Sequence, residues 1–276
     1  MNIVRTALAA ALVVVLAAAC ESNDSLNTPT RSPRSATTPA PSTTGNVIKP
    51  TPTPSTTGTA IKPLPFNAGG LLAGTASPSF PGGEAGEVSV VQIGEPFPGG
   101  LADTTKLPFA FRNNTGAAIA SVEWTGTARS GGSLVATGSS RGTVPAEVQP
   151  GEIGLAFILF GSGAKIPPGH VDYVLTVKTS PVNKAAMSRA PLKVTEANVS
   201  GDAIVGTAVN ASGKPVTYPI SADVYCFDGD KMLTQGGDIA EQLGPVAPGG
   251  QATFSVDLHG RYCPAFTVGV EGLYGR

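Results

Sequence analysis

GTAVNASGKPVTYPISADVYCFDGDKMLTQ, residues 206–235, decides the fold class. It holds short runs rich in β-branched and aromatic residues, and each run ends on residues suited to chain reversal. Asn210 and Asp228 tolerate left-handed backbone conformations and Gly213 and Gly229 supply positive φ, so Asn-x-Ser-Gly and Asp-Gly-Asp read as turns between strands. Working outward, runs of the same kind lie at 87–93, 106–112, 119–128, 134–139, 153–160 and 171–178. A second series lies at 192–195, 203–209, 220–227, 232–236, 252–258 and 266–270. Even spacing with no room for helical crossovers predicts an all-β chain of antiparallel sandwiches rather than a parallel α/β sheet. Residues 182–189 and 237–243 have some helical character, and both stretches are short.

The two series correspond. Asn113-Asn114-Thr115-Gly116 matches Asn210-Ala211-Ser212-Gly213, and Val148-Gln149-Pro150-Gly151 matches Val246-Ala247-Pro248-Gly249, at offsets of 97 and 98 residues. The turn at Gly131-Gly132 falls near Asp228-Gly229-Asp230 at the same offset. One module used twice is the expected organisation, with the first copy at 66–190 and the second at 191–276.

The second copy resembles the FxLYD domain of bacterial lipoproteins. GTAVNAS (206–212) is similar to its opening strand and Asn-x-Ser turn, VYCFDGDKML (224–233) to the strand and Asp-Gly hairpin that name it, and VAPGGQATF (246–254) to its Pro-Gly strand. Val224, Cys226 and Phe227 stand where Phe, Leu and Tyr are expected, and Asp228 is kept. The first copy has Arg129 or Ser130 near that Asp. The resemblance covers about 75 residues. It implies an immunoglobulin-like β-sandwich outside the cytoplasm, twice in tandem, and it implies no catalytic residues.

The amino-terminal residues differ in kind. MNIVR gives a positive start, 6–19 is apolar, and Ala17-Ala18-Ala19 meets Cys20. This reads as an export signal over 1–20, too short for a permanent span, which takes about 20 apolar residues. An A-x-A cleavage would leave Cys20 a plain thiol. Leu16-Ala17-Ala18-Ala19-Cys20 instead resembles the lipobox of bacterial lipoproteins, with Ala17 where Leu is usual and Leu16 one place earlier. In that reading Cys20 becomes the first residue of the mature chain and carries a diacylglyceryl anchor with chains such as palmitate. Three cysteines in an oxidising compartment resolve into one lipidated residue, Cys20, and one disulfide, Cys226 with Cys263.

Residues 21–65 are mainly Ser, Thr and Pro, a composition that cannot offset the entropy of ordering itself, so a disordered linker is expected there. PAPSTTGNVIKP at 39–50 returns as PTPSTTGTAIKP at 52–63, as suits a spacer. At roughly 3.1 Å per residue in polyproline form, about 45 residues reach on the order of 100 Å from a bilayer.

Sites of chemistry are sparse. The two histidines, His170 and His259, fall in separate copies. Asp257 and His259 are two apart on a strand and so share a face, but no Gly-x-Ser-x-Gly turn completes a triad. Ser162-x-x-Lys165 spells a penicillin-binding pattern, yet Pro167-Pro168-Gly169 follows where a helix is needed. Zinc is disfavoured once the cysteines pair, while Asp228, Asp230 and Asp238 offer hard oxygen ligands for calcium, against the simpler reading of a hairpin turn. Trp124 is core if it shares the inner face with Val122, and a partner anchor if the two face outward; the inner face is expected.

A net charge of −1 without clustered Lys and Arg argues against nucleic acid. The expectation is a membrane-anchored extracytoplasmic lipoprotein without cofactors or catalysis. It would bind an envelope protein or a cell-wall polymer, or organise the envelope. An extracytoplasmic hydrolase and a purely structural spacer are the rivals.

Overall fold

The computed structural model describes residues 61–100, 103–161, 163, 166–240 and 242–276. Cys20, most of the 21–65 linker and the Ser162 and Lys165 pair therefore lie outside the described residues. Among the described residues there are strands and no helix. In chain order the strands are β1 (Ala73–Gly74), β2 (Val88–Ile93), β3 (Phe97–Pro98), β4 (Thr105–Asn113), β5 (Ile119–Ser130), β6 (Ser133–Val144), β7 (Glu147–Val148) and β8 (Ile153–Phe160). They continue as β9 (Asp172–Pro181), β10 (Arg189–Ser200), β11 (Ala203–Val209), β12 (Val216–Asp228), β13 (Lys231–Ile239), β14 (Gln251–Asp257) and β15 (Ala265–Tyr274).

All twelve runs expected as strands are strands. The two stretches with helical character are not helical: 182–188 is irregular, and Gly237 continues β13 opposite Asp223 of β12. The glycine turns form at Gly131-Gly132 and Gly229, whereas Gly213, Asn210 and Asp228 do not take positive φ, and the Asn210 turn is held instead by its side chain, whose Oδ1 accepts from Ser212. Gly131 and Gly132, with φ of 55° and 83°, join β5 to β6, and Gly229, with φ of 58°, begins the two-residue loop between β12 and β13.

The strands form two antiparallel sheets. The first has the order β2-β4-β8-β6-β5-β7, with β3 also on β4 and β9 also on β5. The second has the order β13-β12-β15-β10-β11-β14, with β1 also on β15. Each sheet curls because one long strand serves two neighbours in succession. β6 pairs with β5 through Ser133 to Ser139 and with β8 from Gly138 onward; β10 pairs with β15 through Leu192 and with β11 from Lys193 onward. Register shifts at Ser140/Thr143 and Val194/Glu196 bend these strands where they change partner.

Curling gives each sheet an interior. In the first, Leu107, Phe109 and Phe111 of β4 meet Val122 and Trp124 of β5 and Ile158 of β8. In the second, Leu192, Ile204, Val224, Cys226, Val256 and Val268 form the centre. A third cluster joins the sheets through their outer faces: Ala110, Val144, Ile153 and Leu155 of the first pack on Tyr225, Phe227 and Met232 of the second. β8 consequently buries both faces, which is why 153–160 is an almost unbroken apolar run.

The chain before β2 laces this junction. Phe66 and Phe80 pack against Phe227, tilted and edge-on respectively, with ring centroids 6.4 and 6.5 Å away, and Leu72 lies in the shared cluster. β1 pairs with β15, where Gly74 has φ of 144° and passes so close to the Phe266 carbonyl that a Cβ would collide with it. The last residues of the stretch expected to be linker, 61–65, are held as well. The Leu64 N–H donates to the Gly151 carbonyl at 3.0 Å, and the Arg112 guanidinium donates to the Leu64 carbonyl at 2.8 Å. Arg112 is buried in β4 and donates also to the carbonyls of Pro81 and Gly151, so this cation needs those segments as its solvent. Burial lowers its pKa.

Candidate functional site

Cys226 and Cys263 lie at disulfide distance, S–S 2.02 Å, joining β12 to the turn before β15. Asp228 and Asp230 stand at the β12–β13 hairpin as its turn residues. The Asp230 carboxylate accepts from the Ser79 N–H at 2.8 Å, and its carbonyl accepts from the Gln92 side chain at 2.8 Å, so this residue docks the preceding chain. Asp238 is at the far end of β13 and is not brought to them. No group of three or more His, Cys, Asp or Glu able to hold a metal occurs among the described residues. His259 Nδ1 lies 3.2 Å from Asp257, and His170 Nε2 lies 3.1 Å from Asp172; all four side chains are exposed. Trp124 is core: it is 2% exposed and sits edge-on to Phe109 at 5.0 Å between centroids.

The matched sequence motifs build matched turns. Asn113 donates from Nδ2 to the carbonyls of Ala117 and Val148, while its Oδ1 accepts from the N–H and hydroxyl of Thr115. Asn210 donates to the carbonyls of Lys214 and Val246, and its Oδ1 accepts from the N–H and hydroxyl of Ser212. The backbone repeats too: Gly151 N–H donates to the Asn113 carbonyl, and Gly249 N–H to the Asn210 carbonyl. Both Asn side chains are fully buried and use every donor and acceptor shown, so these are architectural residues.

Between the sheets lies a polar bridge. Lys106 of β4 donates to Gln235 Oε1 at 2.8 Å, and Gln235 Nε2 donates to Asp223 of β12 at 2.7 Å. Lys106 also lies 4.6 Å from the centre of the Phe157 ring. Burial lowers the Lys106 pKa, opposed by the Asp223 charge. Burial pushes the Asp223 carboxyl up to about 6, against the pull of Lys106, the Gln235 hydrogen bond and Arg189.

Beyond this bridge the sheets leave a groove of about 530 Å³. Ser121 and Glu123 of β5, Ser140 and Thr143 of β6, Ser188 and Arg189 line it. Ser121 holds φ of 47° at the β5 bulge, a conformation costly for a residue with a side chain. Arg189 forms an ion pair with Glu271, which is 2% exposed. The second Glu271 oxygen and the Thr143 hydroxyl are buried without a hydrogen-bond partner among the described residues. Nearby, the Tyr274 hydroxyl donates to Glu147 at 2.9 Å and ties the sheets together; burial, then that hydrogen bond, raises its pKa. A rim of hydroxyls over a charged pair can hold a polar, hydroxyl-rich ligand by hydrogen bonds. The sequence hint was Glu271 itself, a lone acid in the apolar run FTVGVEGLY.

A second hollow of about 500 Å³ is apolar, lined by Phe97, Pro98, Leu233, Arg261 and the 70%-exposed Tyr262. Arg261 lies 5.7 Å from the Phe97 ring centre.

Comparison with known proteins found no protein-family model and no curated protein that matches the chain.

Proposed function

We propose that the chain is a lipid-anchored extracytoplasmic protein that acts by binding rather than catalysis, and that its halves are tandem immunoglobulin-like sandwich modules of FxLYD type. In this reading residues 1–20 are the export signal, Cys20 carries the acyl anchor, 21–65 is the spacer, and 66–190 and 191–276 are the modules. The paired Asn113 and Asn210 turns support the duplication. So do the recurring pairings: β4 with β8 as β11 with β14, β5 with β9 as β12 with β15, and Ile119 with Val148 as Val216 with Val246.

The observation that carries binding is the groove, whose wall presents the side chains of Ser121, Glu123, Ser140, Ser188 and Arg189. The ligand class we infer is a cell-wall polysaccharide.

Retention of the full chain on purified cell-wall polymer tests this. Ser188→Ala removes a hydroxyl from the groove wall, so it should weaken retention while leaving melting unchanged. Equal retention of this variant, or none by the parent protein, would contradict the reading. Turnover of an ester or peptide library would replace it with the hydrolase. The anchor has a separate test: Cys20→Ala should release the protein from the membrane fraction, and unchanged retention there would refute lipidation.

A further inference from the structure

Sheet edges are templates for further strands unless something blunts or covers them. Most edges here are dealt with. At the β2 edge, the Gln92 side chain donates to the Asp230 carbonyl in the β12–β13 hairpin of the second sheet. β13 and β14, the two ends of the second sheet, approach where Gly236 faces Val256. β9, like β2, β13 and β14, pairs with a strand on one side only, here β5, and among the described residues no other element hydrogen-bonds to its outer edge.

The second sheet shows what this kind of edge accepts. β15 stands to β12 as β9 stands to β5, and the outer edge of β15 is filled by antiparallel chain: β1 along Thr267–Val268, then Arg189 to Leu192 of β10 along Val270 to Leu273. The β9 edge is also regular. Its pairing with β5 runs from Glu123 with Lys178 to Arg129 with Asp172 without a shift, and it displays Val174 and Val177, 51% and 36% exposed.

We propose that β9 is a homodimerisation edge, pairing antiparallel with β9 of a second copy about a twofold axis at Leu175. Side chains directly opposite one another in an antiparallel pair lie on the same face, and this register sets complementary residues opposite each other. Asp172 meets Lys178 of the second copy, Val174 meets Thr176, and Tyr173 meets Val177. Extended across four strands, the row reads Glu123, Lys178, then Asp172 and Arg129 of the second copy, alternating in charge at every step. The row beside it, Thr125, Thr176, then Val174 and Thr127 of the second copy, is entirely β-branched, as suits a pleated surface. Moving the register by two residues sets Asp172 opposite Thr176 or Ser180 and loses the charge match. The outward amides suit it: the Trp124 N–H points to Ser140 on β6, so its β9 partner Val177 turns its own N–H away from β5.

The inference is independent of the groove and of the anchor. Sedimentation of the full chain in density-matched detergent tests it. Asp172 and Lys178 are both well exposed, so reversing either charge should lower melting only slightly, through the like charge it sets opposite Arg129 or Glu123 of its own β5. The parent should sediment as a dimer that dissociates on dilution. Asp172→Lys and Lys178→Asp should each raise the dimer dissociation constant at least tenfold, because each places like charges opposite one another twice. Mixing the two variants should restore dimerisation, since the mixed pair is complementary at both positions. A parent that stays monomeric on concentration, or single variants that dimerise as tightly as the parent, would overturn the proposal.

Discussion

The two sheets stabilise similar architectures by different means. The first surrounds Trp124 with Phe109 and Phe111 and contains no cysteine, whereas the second encloses a mainly aliphatic interior and holds Cys226 next to Cys263. Large rings occupy the centre of the first. The second, with mainly aliphatic side chains, gains from a covalent tie across 37 positions of sequence. A common turn chemistry is thus compatible with two ways of making a small β core cohere.

That contrast can be broken at the ring. Trp124→Ala should cost about 4 kcal/mol, the usual scale for emptying an aromatic site in a packed core, read as a fall in the urea midpoint. Next comes the staple. Cys226→Ser should cost roughly 3 to 4 kcal/mol on the chain-entropy model, and Cys263→Ser should cost the same; free thiols in the purified protein would refute the pairing. Smaller again is the shared element. Asn113→Ala and Asn210→Ala should each cost about 2–3 kcal/mol by stranding buried carbonyls and a hydroxyl, and equal values would sharpen the equivalence of the two turns.

The smallest effect concerns the junction. Asp223 titrates near 6 in the fold against an ordinary 3.8, so folding favours its protonated form. The resulting stabilisation is complete below about pH 4 and is lost as pH rises through 6. Asp223→Asn should therefore flatten the fall in melting temperature across that window.

Much of each sheet was legible because turns and alternation are local. Asn-x-Ser, Pro-Gly and Asp-Gly mark reversals wherever they stand, and Val122 and Trp124 share a face by period alone. The joining of the sheets was not legible in the same way. Tyr225 and Phe227 alternate with Val224 and Cys226, which says that both faces of β12 are apolar but not that Ile153 and Leu155 cover the second one. The lacing before β2 was harder still, since β1 is two residues whose strand character comes from β15. Arg112 stood in the open as a cation within LPFAFRN, but its partners are backbone carbonyls, which no side-chain pattern reveals. The groove depends on these long-range contacts, and only Glu271 hinted at it.

The groove persists only if the third cluster makes one cooperative body of the two sheets. Trp124, the single tryptophan, reports on the first sheet alone, so its fluorescence in urea is the most direct probe of the second sheet's influence. Coupling predicts that Asn210→Ala, a change confined to the second sheet, lowers the Trp124 midpoint as much as the midpoint followed by circular dichroism. An unmoved Trp124 transition beside a second, earlier one would contradict it.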